Sequence, residues 1–386
     1  MHLLWVLVVA LIVRLALLDS SARYVMVTGE SLLAGCGRLG RWVVLMWFAI
    51  SVLRRHASAL VRLVLLGTAA NLVVPLPGPH GVAIWGVISW SAGFVLLYWG
   101  RYKAVEKMSK PLVAIMGGCL LAAAILSRPD LGLLLQESLH PMLPPATGHY
   151  STAIVVMAML ASAMGSFSNL RYAAYVHEKG WRTLEHLRSQ RADMFVSVLS
   201  MFLMLVMIQL AAASALKPQG IVVTEVEDIV PIFGQVLGVW GRVLFGVTLW
   251  GVCFAGYAGN NAGYGIMLSD VYYRFIRPSE EVTVKGKAAG DMPAYRWLII
   301  YVFLSPLYVF FTGWTPIGLV LAYGVMSIVT MPVIALIVLR LTADRKAMGE
   351  YANGWFTNTV LALAVVCAVY LSWEAGVEVF AQVRGS

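Results

Sequence analysis

Apolar stretches long enough to cross a bilayer recur along the whole chain, and the positive charges between them fall in alternate gaps. A membrane-spanning helix needs roughly 20 predominantly apolar residues. In lipid, only helices and closed barrels satisfy their own backbone groups. Ten spans are read at residues 2–18, 42–66, 82–100, 111–127, 150–176, 193–215, 242–268, 297–312, 317–340 and 355–380. The odd-numbered connections, counting Arg340 at the very end of the ninth span, hold 19 Lys and Arg residues, among them Arg23, Arg38, Lys103, Lys179, Arg191, Arg277 and Lys346. The even connections and the C-terminal tail hold 3, namely Arg128, Lys217 and Arg384. This asymmetry makes the odd connections cytoplasmic. The sequence therefore predicts an all-α polytopic membrane protein, with residues 1–386 as one transmembrane domain.

Composition excludes several classes. Hydrophobic residues make up 60% of the chain and charged residues only 12%, so the net charge of +9 reflects cytoplasmic loops and no nucleic-acid surface. Cys36, Cys119, Cys253 and Cys367 are scattered without a CxxC pair. They read as small apolar residues and not as a metal or disulfide framework. The first segment lacks the charged start and cleavage site of a signal peptide. His177-Glu178 runs into Lys-Gly-Trp, so it is not HExxH, and no GxxxxGK[ST] or nucleophile elbow appears. The chain reads as a non-enzyme. With ten spans and the first connection inside, both ends lie outside. An external Met1 followed at once by a span, with no upstream charge, leads us to expect a further span before it and a shortened N-terminus.

Polar groups within the spans carry the functional information. In SAMGSFSNLRYAAYVHEKGW, Ser162 to Trp181, the residues Ser162, Ser166 and Asn169 share one helical face, which Tyr172 extends. Two readings stand side by side. The serines bond back to their own helix and Gly165 permits close packing, or the helix is broken and its freed carbonyls and small polar groups hold an ion. Gly259 and Gly263 form a GxxxG pair, which predicts close helix packing, while Asn260 and Asn261 ask for a partner on another helix or an ion. Arg54, Arg55, His56 and Arg62 lie in the second span. Arg54 and Arg55 either lie in a local water-filled groove or pair with an acidic residue of another span, Glu374 being one at hand, and are expected to face away from any cation path. Arg171 and Arg242 are placed to snorkel. Pro332 predicts a kink in the ninth span, its freed carbonyl met by Ser327 or Thr330.

In order along the chain, several blocks carry a resemblance. MGSFSNLRYAAYVHEKGW is similar to the sixth helix of the Nramp family of divalent metal transporters, where the motif contains Met-Pro-His-Asn-Leu. FGQVLGVWGRVLFGVTLWGVCFAGYAGNNAGYG resembles the family's eighth helix, and VMSIVTMPVIALIVLRLTADRKAMGEYANG its tenth helix and following Met-Gly turn. HLLWVLVVALIVRLALLDSSARYVMVTGESL resembles the second helix and its Thr-Gly loop. The likeness is nearest to the divergent Nramp-related bacterial branch. It implies a leucine-transporter-like inverted-repeat fold, here with about ten helices corresponding to family helices 2–11. The family's first helix, with its Asp-Pro-Gly-Asn break, has no counterpart.

The resemblance also implies a site. Aligning Asn169-Leu170 on the family's Asn-Leu puts Ser168 at the His, Ser166 at the metal-binding Met and Ala163 at the Ala whose carbonyl coordinates. Tyr323 falls near a tenth-helix polar residue that joins the occluded site. The expected ligands of a divalent cation are thus Ala163, Ser166, Ser168, Asn169 and Tyr323, with the ion as substrate and no cofactor. Serine in place of methionine exchanges a soft ligand for a hard one and favours Mg2+, Ca2+ or Mn2+ over softer metals. Serine in place of histidine removes a group that titrates near neutral pH. The implied setting is the bacterial inner membrane, with the bilayer and the metal ion as partners and no nucleic acid; the sequence sets no oligomeric state. Two other readings remain open: a transporter of an organic solute such as an amino acid on the same fold, and an accessory membrane protein that has lost transport.

Overall fold

The computed structural model describes residues 4–98, 183–215, 226–238, 240–278, 292–314 and 316–385, with scattered positions between 107 and 181 and Gly220. The main helices are α1 (Leu4–Thr28), α2 (Arg41–Val73), α3 (Gly81–Tyr98), α4 (Leu187–Ala215), α5 (Val230–Leu237), α6 (Trp240–Val271), α7 (Pro293–Leu304), α8 (Pro316–Thr342) and α9 (Trp355–Gly385). No strand occurs among the described residues. Six helical segments among them are long and apolar enough to cross a membrane. The predicted spans at 111–127 and 150–176 lie largely outside the described residues.

Several helices outrun the apolar stretches that announce them. Span 2–18 continues to Thr28, so Arg23, expected in a cytoplasmic connection, is a buried helical residue. The extension is possible because its polar side chains have partners, beginning with Asp19 and Arg23, which pair at i, i+4 over 3.1 Å. Span 297–312 is not one helix. α7 stops at Leu304, and a 3₁₀ segment, Leu307–Phe311, follows Pro306. Pro306 has no N–H to continue the ladder, so the helix ends there even though Ser305 before it keeps a helical backbone.

The chain falls into two compact units. One comprises Phe48–Leu134 and Met204–Tyr323. Its core is built where α3 meets α6 and α7. The Trp90 indole stacks on Tyr257 at 3.8 Å between ring centroids, and the Tyr257 hydroxyl donates to the Trp90 carbonyl at 3.3 Å. Trp90 Nε1 donates over 3.0 Å to the carbonyl of Phe303. That carbonyl lies in the last turn of α7, where no helical N–H remains to meet it. Glycines permit the close approaches. A Cβ on Gly67 of α2 would collide with the Val82 carbonyl of α3, and one on Gly93 would collide with the Tyr257 ring. Gly259 is a correction: among the described residues nothing lies within 4 Å of where its Cβ would be. In α6 the close approaches are instead at Gly256, against Arg62, and at Gly265, against Tyr295.

The other unit comprises His2–Trp47, Leu135–Leu203 and Gly324–Ser386. Here the polar end of α1 is tied to α4 and to the turn before α9. Asn353 Oδ1 accepts from Arg23 Nη2 at 2.6 Å and from Ser20 Oγ at 3.2 Å, while its Nδ2 donates to Thr342 Oγ1 at 2.7 Å. Arg191 of α4 completes the cluster, with Nε 2.8 Å from Asp19 Oδ1. Pro332 lies inside α8, and the Thr330 hydroxyl just before it donates at 3.1 Å to the carbonyls of Met326 and Ser327, at i−4 and i−3. Cys36 packs as an apolar residue, and burial pushes its thiol up to about 12.

Asn353 offers a measurable consequence. Asn353→Ala leaves the buried Arg23 without that acceptor, a loss worth about 1–3 kcal/mol. The variant should melt several degrees below the parent in detergent. Ser20→Ala removes one neutral donor only and should cost less. Equal melting temperatures for Asn353→Ala and the parent would rule the clasp out as a stabilising feature.

Candidate functional site

Four of the five residues expected to bind an ion, Ala163, Ser166, Ser168 and Asn169, lie outside the described residues. The fifth, Tyr323, is partly buried in α8 and packs against the α2–α3–α6 core. Its hydroxyl accepts from Arg54 Nη2 at 3.2 Å, and the guanidinium carbon lies 5.1 Å from the ring centroid. Arg54 is only 2% exposed. Arg54 thus contacts one of the residues expected to bind an ion. Burying a guanidinium costs several kcal/mol unless acceptors and aromatic faces meet it, and Tyr323 supplies both.

Arg55 accounts for the mid-span asparagines. It is 1% exposed, its Nε donates to Asn261 Oδ1, and its guanidinium carbon lies 5.9 Å from the ring centroid of Tyr264. The partner that Asn261 required is therefore an arginine of a neighbouring helix. Arg55, Asn261 and Tyr264 border a small cavity of about 10 Å³, closed by Val52, Leu268 and Ile299. The predicted alternative of an acidic partner, Glu374, rests on a side chain outside the described set. Arg242 is exposed at the start of α6, in keeping with a snorkelling residue.

His56 went unassigned in the sequence, and it straddles the break after α7. Its Nδ1 is 3.1 Å from Ser305 Oγ and its Nε2 is 3.0 Å from the Tyr308 hydroxyl, one on each side of Pro306. A second feature closes the segment that carries the candidate ligands. Trp181 N donates to the Val176 carbonyl at 3.0 Å around Gly180, whose φ is 80°. This is the six-to-one bond of a Schellman cap, and a left-handed residue makes it possible. Lys179 Nζ then pairs with Asp193 at 2.8 Å. Tyr172, expected to extend the polar face, donates to the Gln190 carbonyl and to Asp193, both at 3.3 Å. Among the described residues no three His, Cys, Asp or Glu side chains gather as a metal site would require.

The Nramp family model, natural resistance-associated macrophage protein-like, matches residues 1–376. The chain belongs to the Nramp family. Among its relatives are two proteins described as divalent metal cation transporters. That of Aeromonas hydrophila is 26% identical, the alignment taking in 96% of this chain and 86% of the relative. That of Caldanaerobacter subterraneus is 22% identical over 100% of this chain and 86% of the relative. A crystal structure of the Eremococcus coleocola manganese transporter, bound to an aromatic bis-isothiourea compound, superposes with a TM-score of 0.74 at 15% identity. It covers 96% of this chain and 78% of the other. A histidine-to-alanine mutant of the same transporter gives 0.61 at 14% identity, covering 96% of this chain and 79% of that one. This Nramp chain therefore has the leucine-transporter-like fold expected of it, and it is a multi-pass integral membrane protein.

Proposed function

We propose that this chain carries divalent metal cations across the bacterial inner membrane. The observation that carries the reading is an in-order likeness spanning 96–100% of the chain to two divalent metal cation transporters. The chemistry of the segment 163–169 narrows the cargo. A carbonyl at Ala163, hydroxyls at Ser166 and Ser168 and an amide at Asn169 are all hard donors, and hard donors suit Mg2+, Ca2+ and Mn2+. Mg2+ dehydrates reluctantly and is bound with several waters in place. A few neutral oxygens are therefore an adequate set for a partly hydrated ion. Tyr323 adds one further oxygen acceptor.

The test is uptake by the full chain in liposomes, with Mg2+, Mn2+ and Ca2+ offered separately and then in competition. Mg2+ uptake that competing Ca2+ reduces is the expected result. Transport of Mn2+ alone would overturn the hard-ion assignment. Absence of any divalent uptake, with uptake of an amino acid instead, would overturn metal transport altogether.

A further inference from the structure

The turn from α8 into α9 presents cations and aromatic rings at one level of the molecule. Arg340 stands in the last turn of α8, and Arg345 and Lys346 in the one-turn helix Arg345–Met348 that follows. All three are exposed. The turn that carries them is tied down. Asn353 N donates to the Thr342 carbonyl at 2.9 Å, and the Asn353 side chain joins Thr342 to Arg23 of α1. Asp344 Oδ1 accepts from Lys346 N at 2.9 Å and caps the short helix. Trp355 and Phe356 then open α9, 79% and 61% exposed. Arg340 and Trp355 each lie two residues from the Thr342–Asn353 bond, which brings the two helix ends to one level.

Cytoplasmic connections are rich in Lys and Arg by the rule that orients the chain, and exposed tryptophans mark the membrane interface. Here the two coincide above a common apolar face. Leu336 and Val333 lie at i−4 and i−7 from Arg340, on the same side of α8, and both are exposed. On α9, Phe356 is followed at i+7 by the exposed Leu363. A cation above an apolar stripe matches a phospholipid, whose phosphate sits above its acyl chains. Arginine suits the phosphate, because its planar fork bonds two oxygens at once. Two acidic residues share the turn. The Asp344 carboxylate is engaged at the cap, while Glu350 is exposed and opposes an anion. We propose that the inner ends of α8 and α9 form a binding site for one anionic phospholipid: Arg340, Arg345 and Lys346 hold the headgroup phosphate, and the acyl chains lie along Leu336 and Phe356. The site is independent of which metal the protein carries.

The full chain in neutral detergent would be melted with added phosphatidylglycerol, phosphatidylcholine or glycerophosphoglycerol, the first lipid's headgroup without acyl chains. Lipid affinity would be read by native mass spectrometry. Phosphatidylglycerol should raise the melting temperature by several degrees, phosphatidylcholine by much less and the soluble headgroup not at all. A cation near the membrane surface is worth about fivefold in affinity for an anionic lipid. Arg340→Gln should therefore weaken phosphatidylglycerol binding about fivefold and leave phosphatidylcholine binding unchanged. Arg340→Lys should lose less, and Glu350→Gln should tighten binding. Arg188→Gln removes an exposed cation at the start of α4 and should change nothing. If Arg340→Gln does not fold, Arg345→Gln on the exposed turn gives the same reading. Equal stabilisation by the two lipids overturns the proposal, as does parent affinity in Arg340→Gln. Equal losses in Arg340→Gln and Arg188→Gln would show that the lipid senses the charge of the whole face and would remove the site. A melting shift from glycerophosphoglycerol as large as that from the lipid would make this a phosphate site and overturn the assignment to lipid.

Discussion

Replacing Ser166 by methionine is expected to shift uptake from Mg2+ toward Mn2+ by about tenfold, equivalent to 1.4 kcal/mol of relative transition-state binding. The reason lies in donor softness. A serine hydroxyl is a small, hard oxygen that suits ions holding on to their water. A thioether is polarisable and prefers ions further along the transition series. The substitution introduces the residue type that the proposed alignment puts at this place. It also removes an oxygen donor that Mg2+ can use. Ser166→Ala separates the two effects, since it deletes the hydroxyl without offering sulfur: Mg2+ uptake should fall and Mn2+ should gain little. The readout is a competition experiment in liposomes, with the ratio of Mn2+ to Mg2+ entering the same vesicles. An unchanged ratio in the methionine variant would remove Ser166 from the metal's surroundings.

The positions of the described spans were legible because hydropathy and loop charge report on the bilayer, and every segment has to respect the bilayer on its own. The helix ends were not. Arg23 is a charged residue at the end of an apolar run, and by composition it belongs in a loop. It is helical because Asp19 and Asn353 meet it, and Asn353 is 330 residues away. The break at Ser305-Pro306 was marked by its proline, yet a span of the right length hid it. The site was legible to a different degree. Ser166, Ser168 and Asn169 stood out by residue type, but their meaning depended on the order of neighbouring family motifs. Arg54 and Arg55 were visible as oddities only. Their partners, Tyr323 and Asn261, lie 269 and 206 residues along the chain, and no local period links them. One signal pointed that way: unpartnered mid-span amides in α6 and unpartnered mid-span cations in α2 each called for a partner, and the two needs meet.

Gly67→Ala is expected to destabilise the protein by about 3 kcal/mol, at the upper end of the usual range for forcing extra volume into a packed core. A Cβ at this position would run into the Val82 carbonyl oxygen and lie 3.1 Å from the Gly86 nitrogen, both backbone atoms of α3. A side chain in the way can choose another rotamer, but a helix backbone moves only as a body. Separating α2 from α3 would also loosen Trp90, which is held between Tyr257 and Phe303. Gly259→Ala is the control. Among the described residues nothing lies within 4 Å of where its Cβ would be, and alanine is the better helix former by about 1 kcal/mol. That variant should therefore melt at or above the parent temperature although it alters the sequence's own GxxxG pair. Thermal melts of both variants in one detergent decide the matter. If Gly67→Ala melts with the parent while Gly259→Ala falls, the small-residue contact belongs to the GxxxG pair and not to the crossing of α2 with α3.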